Sequence, residues 1–587
     1  MLNKDIGMVK GRDQEFSKYL KRWLPVATVI GIASGATMCL FMAIIRILSQ
    51  FFSFLPLYIA MLAGGLITTL AIYLGYEEVR GAGISYYIEK KNKEEEVPAK
   101  VAAIKLATSA TTIGSGCSAG KEGPAVVVGA AIGYHCGFHI IQRLTKEKHV
   151  HKKDLASSTI IGTAAATAAI FQAPLGGTIF AAEIPYKQDI DLTVYMPAFF
   201  AAIIAYLTYN SLFFMIFNES PTLLSFLKVN LDLTFPVIIA VIILGCVCGI
   251  VGTAFSVFFS AYRDFWERKL AWTAKRPHLI PIIGIIQASI ITLLFILFLD
   301  DENLTLGGTG FELLNDLEVR IQTISIVTLF LLLAGKLIIT SFTVGSGVSG
   351  GIFGPSLVIG ATTGALFGQI IGYHEYIGAF FILGMSAMLA STTKALIASV
   401  VFILEMVSLP PLIIPMGIAS LAAFIVSGNQ SLYTGQLRSR EEKIKKEIAG
   451  MDLLQRITVK EIMSKDVLFI PQVLSISAAK KALYNIKKHT VPILDDGKLV
   501  GIVTIDDINQ ALHDEKENNS VADLMIKDVI TIDQSATIGE ALYKMLDYDV
   551  ERFPVLDHSA NNKLVGFLTL HDIMKAHRDL KFKTEKD

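Results

Sequence analysis

The chain has 587 residues, 52% of them hydrophobic and 18% charged, with a mean hydropathy of +0.54. That is too apolar for an ordinary soluble domain. Lys and Arg (52) balance Asp and Glu (52) to a formal net charge of zero, so no basic field points to a nucleic-acid partner.

The first 22 residues are polar and on balance basic, with Lys4, Lys10, Arg12, Lys18, Lys21 and Arg22. They read as a cytoplasmic flank rather than a cleavable leader. Charge-free runs follow at 24–45, 51–76, 157–182, 194–217, 235–262, 279–299 and 406–437. A bilayer span needs about 20 apolar residues, so each is a candidate. The run 321–335 is shorter and continues past Lys336. The loop 146–153, with His149 and His151 among lysines, reads as solvated and cytoplasmic. Cys39, Cys117, Cys136, Cys246 and Cys248 lie in apolar or glycine-rich surroundings. They read as small packing residues, not metal ligands.

Between these runs stands a repeat. "GSGCSAGKEGPAVVVGAAIG" (114–133) aligns without gaps to "GSGVSGGIFGPSLVIGATTG" (345–364), offset 231, with eleven of twenty positions identical. "FAAE", ending at Glu183, pairs with "FILE", ending at Glu405, offset 222. Duplicated membrane halves with Gly- and Pro-interrupted helices point to a central binding site. Whether the halves are inverted is left open by the repeat itself.

Each glycine-rich turn leads into an apolar helix whose first amides lack internal partners and whose end carries roughly half a positive charge. Half a charge at about 5 Å, with an effective dielectric of about 20, attracts an anion by roughly 1.7 kcal/mol. Several converging ends hold a partly dehydrated anion without trapping it on a full cation. Glu122 fits this scheme, since its carboxylate is itself an anion that competes for the same donors. The alternative is close helix packing through small residues. A nucleotide-binding P-loop is excluded, because Glu122 stands where Ser or Thr is required and Ser115 where the first glycine is required.

After residue 436 the composition changes to a charged linker, "GQLRSREEKIKKEIAG", and then to short β-branched strands alternating with amphipathic helices. This part also repeats: "VKEIMSKDV" with "VADLMIKDV", "VPIL" with "FPVL", and "LVGIVTIDDI" with "LVGFLTLHDI". The expected organisation is a transmembrane domain 1–435, a linker 436–452, and two α/β modules at 453–514 and 515–578. The fold class is an α-helical polytopic membrane protein of two related halves with broken re-entrant helices, followed by a cytoplasmic α/β pair.

These residues resemble the CLC family of chloride channels and proton/chloride exchangers. GKEGP (120–124) is similar to the family's G(K/R)EGP motif, GIFGP (351–355) to its GxFxP motif, and SLYTGQ (431–436) to its pore-tyrosine segment. The tail resembles the paired CBS domains of many members. The resemblance implies a multi-pass protein of the cell membrane with both termini cytoplasmic. It implies a homodimer in the lipid bilayer with one anion pathway per subunit, moving chloride, other anions and in exchangers protons. It is not expected to be an enzyme and requires no cofactor. Glu122 is implied as the gating glutamate. The amides of Ile352 and Phe353 and the hydroxyl of Tyr433 are implied as anion ligands, with Ala82, Gly83, Gly120, Lys121 and Gly123 lining the site. Chloride is expected over fluoride, because GKEGP matches the chloride branch better. In the CBS pair, Thr504, Asp507, Thr569 and Asp572 are implied contacts for ATP or a cyclic dinucleotide, the alternative being an empty structural pair.

Three departures matter. GSGIP appears as GAGIS (81–85), so Ala82 replaces the central serine and Ser85 the proline. Ile184 stands where exchangers usually carry an internal proton-transfer glutamate. Glu183 and Glu405 are expected to satisfy backbone amides. The readings left are gated anion conduction, favoured by Ile184, proton-coupled exchange, and a nucleotide sensor whose membrane part is an anchor. A buried carboxylate at 122 argues against the anchor.

Overall fold

The computed structural model describes residues 2–145, 150–192, 194–221, 224, 229, 231–266, 276–298, 304–442, 457–465, 469–486, 490–495, 498–513, 519–527, 529–548, 550–558 and 563–576. The loop residues 146–149, most of the expected linker and the outer edges of the two α/β modules (453–456 and 577–578) lie outside the described residues. Two compact units, Met1–Ser439 and Arg440–Asp587, divide inside the expected linker.

The first unit is helical. Its first half carries α1 (Leu2–Phe52), α2 (Leu57–Tyr73), α3 (Ile84–Asn92), α4 (Ala99–Gly114), α5 (Glu122–Thr145), α6 (Lys152–Phe171), α7 (Pro174–Glu183) and α8 (Tyr195–Phe217). The second half carries α9 (Phe235–Asp264), α10 (Leu279–Phe298), α11 (Phe311–Arg320), α12 (Ile326–Thr343), α13 (Phe353–Ile370), α14 (Ile377–Thr393), α15 (Leu396–Val407) and α16 (Ile413–Val426). Among the described residues, eight helices are long and apolar enough to cross a membrane.

Three expected single spans are broken. The run 51–76 holds the end of α1, a turn before Pro56 and then the 17-residue α2. The run 157–182 splits into α6 and α7 at Gln172, which takes a left-handed φ of 56° before Pro174. The run 406–437 splits at Ser408 (φ 54°) and Pro410, leaving α16 and then an irregular segment that carries Tyr433. Lack of charge marks membrane depth, but Pro and left-handed residues decide where a helix stops.

The halves obey the offsets read from the sequence. α5 crosses α6 where Gly129 meets Gly162 and Gly133 meets the Ser158 carbonyl. α13 crosses α14 where Gly360 meets Gly384 and Gly364 meets the Phe380 carbonyl. The small-residue reading is therefore correct for these later glycines of each motif, which let backbones touch.

The second unit contains β1 (Ile470–Pro471), β2 (Thr490–Asp495), β3 (Lys498–Thr504), β4 (Ile532–Asp533), β5 (Arg552–Asp557) and β6 (Lys563–Thr569), ordered β1-β2-β3-β6-β5-β4. Each repeat is one parallel and one antiparallel pairing, joined through Lys498 and Lys563. Helices α17 (Val459–Ile462), α18 (Ile476–Ile486), α19 (Ile505–His513) and α20 (Ile538–Asp547) complete two small cores. One is built on Ile476, Ile493 and Ile508, the other on Ile538, Phe553 and Leu568.

Candidate functional site

The twin motifs meet each other. Gly120 and Gly351, equivalent at offset 231, exchange backbone hydrogen bonds in both directions at 2.7 Å as an antiparallel bridge. Reciprocal pairing of equivalents is the signature of a local two-fold axis, and it means the two segments run in opposite directions. The surrounding hydroxyls follow the same axis: Ser118 meets Thr340 at 2.9 Å, and its equivalent Ser349 meets Ser109, the equivalent of Thr340, at 2.8 Å.

The axis fails at one place. Glu122 opens α5 and its equivalent Phe353 opens α13. The Phe353 backbone amide donates to Glu122 Oε1. Glu122 is fully buried, and its Oε2 makes no hydrogen bond among the described residues. Tyr433 is 2% exposed and its hydroxyl is likewise unpaired. Phe353 packs against Phe171, Phe180 and Phe402 with ring centroids 4.7, 6.2 and 5.3 Å away, so water is excluded on that side. Ile352, the N-cap of α13, is 1% exposed. A carboxylate with one oxygen on a helix-end amide and the other unpaired, set in an apolar wall and within the electrostatic field of the buried Tyr433 hydroxyl, is an anion-accepting arrangement.

The family profile described as "Voltage gated chloride channel" matches residues 64–428, and the CBS domain profile matches 459–514 and 521–579. The chain belongs to the CLC family. It is 30% identical over 396 residues to an uncharacterised protein of Methanocaldococcus jannaschii, covering 66% of this chain and 90% of that one. The structure is similar to a CLC-type fluoride/proton antiporter (TM-score 0.60, 26% identity, 72% of this chain and 98% of the other). It also shares the fold of a slow cyanobacterial Cl−/H+ antiporter (0.58, 22%, 73% and 99%) and of a eukaryotic CLC transporter (0.57, 18%, 94% and 98%).

In this CLC chain the other expected positions fall around the crossing. Gly123 lies under the Ala82 carbonyl, so that α5 and the turn before α3 touch through backbone. Gly83 caps α3 in a left-handed conformation, φ 79°. The Lys121 ammonium lies 5.1 Å from the Phe311 ring centroid, a cation–π contact.

Two features carried no clear signal in the sequence, and a third was expected from it. Ser85 is more than a missing proline: its hydroxyl accepts from the Thr434 amide at 3.1 Å and ties α3 to the Tyr433 segment. Gln436 donates to the Ile184 and Thr393 carbonyls, both at 2.9 Å, fixing that segment from the other side. Glu183 and Glu405 cap each other's helices. Glu183 accepts from Ile397 and Ala398 at 3.2 and 2.8 Å, and Glu405 from Leu175 and Gly176 at 3.1 and 2.7 Å. Both therefore satisfy backbone amides, as expected.

In the CBS pair, Thr504 N and Oγ1 donate to Asp507 Oδ2 at 2.9 and 2.6 Å, and Asp507 N returns a bond to Thr504 Oγ1 at 3.2 Å. Thr569 and Asp572 repeat this at 2.9, 2.7 and 3.2 Å. Each T-x-x-D is a capping box, a structural duty that engages one carboxylate oxygen.

Proposed function

We propose that this protein moves chloride and related anions across a membrane through the crossing of the twin motifs, with Glu122 as its gate. The observation that carries the reading is the buried Glu122 carboxylate seated on the Phe353 amide with its second oxygen unpaired, in whose field lies the buried, unpaired Tyr433 hydroxyl. An anion arriving at that amide replaces the carboxylate like for like, and a proton releases it. Ile184 is fully buried and apolar and offers no proton relay toward the Tyr433 side. We therefore favour anion movement with weak or no fixed proton coupling. The second reading is proton-coupled exchange, which the likeness to a fluoride/proton antiporter at 26% identity favours.

Both termini are assigned to the cytoplasm and the working unit to a homodimer in the bilayer. The CBS pair is assigned regulation by ATP or a cyclic dinucleotide, bound through the carboxylate oxygens of Asp507 and Asp572 that the capping boxes do not use. The test is purified protein in liposomes under a chloride gradient with no pH gradient, while chloride and external pH are followed together. Chloride flux without proton movement supports the favoured reading. Uphill proton movement at a fixed ratio to chloride selects exchange.

A further inference from the structure

Two buried lysines have no task in the gate described above. Lys105 on α4 and Lys336 on α12 are both 0% exposed, and they are 231 residues apart, the offset of the twin motifs. Lys336 Nζ donates to the carbonyls of Leu306, Gly307 and Gly308 at 2.9, 3.2 and 3.3 Å. Three acceptors suit the three protons of an ammonium at Lys336. Lys105 Nζ donates to the carbonyls of Val79, at 2.8 Å, and Gly81. Among the described residues, neither amine has a carboxylate partner. Such burial is unfavourable for a cation, and the backbone carbonyls offset it.

The turns that they hold are twins as well. Gly81 and Gly83 have φ of 61° and 79°, and Gly308 and Gly310 have 64° and 92°. Gly83 caps α3 and Gly310 caps α11. Gly81 N donates to the Gly347 carbonyl at 3.0 Å, and Gly308 N donates to the carbonyl of Gly116, the equivalent of Gly347, at 2.8 Å. Each turn then presses on the residue that follows one partner of the gate contact. The Ala82 carbonyl faces Gly123, next to Glu122, and the Thr309 carbonyl faces Gly354, next to Phe353. A methyl group at either glycine would collide with that carbonyl.

A glycine-rich turn presents carbonyls as readily as amides, and carbonyl oxygens repel an anion. An ammonium that gathers them draws their negative ends aside and adds a positive charge that stays behind the protein wall. We propose that Lys105 and Lys336 are paired positioning residues that raise anion occupancy at the Glu122–Phe353 crossing by collecting the carbonyls of the two flanking turns. The proposal rests on the anion reading of that crossing. The lysines belong to the symmetric scaffold, whereas Lys121 and Glu122, whose equivalents are Ile352 and Phe353, belong to the part that breaks symmetry. Other charges around the crossing, Lys121 with Arg46 and Glu312 in its field, stay unchanged in the test.

The test is the chloride concentration that half-saturates flux in proteoliposomes, measured for K105M, K336M, K336Q and E122Q beside the parent. Both Met variants are expected to raise it on the order of tenfold, equivalent to about 1.4 kcal/mol. K336Q keeps two donors without the charge and is expected to fall between. Lysines that only support packing would lower thermal stability and leave half-saturation at the parent value, and that result overturns the proposal. Should a Met variant not assemble, K336Q and K105Q carry the same comparison, and parent-like half-saturation in both also overturns it. If E122Q leaves flux unaltered, the crossing is not the anion path and the functional reading fails first. If E122Q alters flux while the lysine variants match the parent, only this proposal fails.

Discussion

The Phe353 amide holds the carboxylate of Glu122, its own equivalent in the other half of the molecule. The scaffold around this contact is doubled, from the Gly120–Gly351 bridge to the Ser118–Thr340 and Ser109–Ser349 hydroxyl pairs. Two-fold scaffolding brings two helix N-termini together, and a single carboxylate placed on one side makes them unequal. That inequality is what the proposed anion site, with Glu122 as its removable occupant, rests on.

Ala82 occupies the turn that covers Gly123. Ala82→Ser adds a hydroxyl donor there. It is expected to raise chloride preference over nitrate, read from bi-ionic reversal potentials. Identical selectivity in variant and parent would show that residue 82 does not face the anion.

Glu183 and Glu405 each hold two amides at the start of the partner helix. Removing either leaves those amides unpaired at a cost of about 1–3 kcal/mol. E183A and E405A should each lower the melting temperature in detergent. Their effects should add, because each serves a different helix end. Chloride-to-nitrate selectivity should stay at the parent value. A melting temperature unchanged in both would contradict the reciprocal capping.

Much of this was legible in the sequence because it depends on spacing. A gapless repeat reports a duplicated backbone, and the crossing of Gly120 with Gly351 follows once the halves pair. Glu122 was legible because a charge in a glycine-rich apolar stretch demands a partner. Lys336 is the opposite case. Its partners are backbone carbonyls, which leave no mark in side-chain identity, so no role could be read for it. Ser85 was legible only as a lost proline, since its acceptor role depends on Thr434, which is distant in the chain. The breaks at Gln172 and Ser408 were hidden inside charge-free runs because hydropathy reports depth and not φ.

Asp572 caps the short helix 570–576 through one oxygen. D572A should therefore cost about 1 kcal/mol of local stability and weaken nucleotide binding to the full-length protein, and D507A should act alike. Calorimetric titration with ATP and with cyclic dinucleotides checks this. No heat from either ligand with the parent protein would leave the motif a helix cap alone.

Asp533, in the CBS pair, is held below its ordinary carboxyl range by the Ser535 hydroxyl, and further by the Ser535 amide at 2.8 Å and the His558 amide at 3.0 Å. A depressed folded value contributes stability above the unfolded value, and that contribution is lost as pH falls through the folded one. Hydrogen exchange across 533–558, corrected for intrinsic pH effects, should show protection falling below about pH 4. D533N should remove that dependence. An unchanged profile in D533N would assign it to other groups.

The most direct measurement is the pH dependence of chloride efflux from liposomes for E122Q beside the parent. Gln at 122 cannot return as a competing anion to the Phe353 amide. The account predicts that parent efflux varies with pH while E122Q efflux is nearly flat. The same pH dependence in both proteins would contradict it and remove Glu122 from the gate.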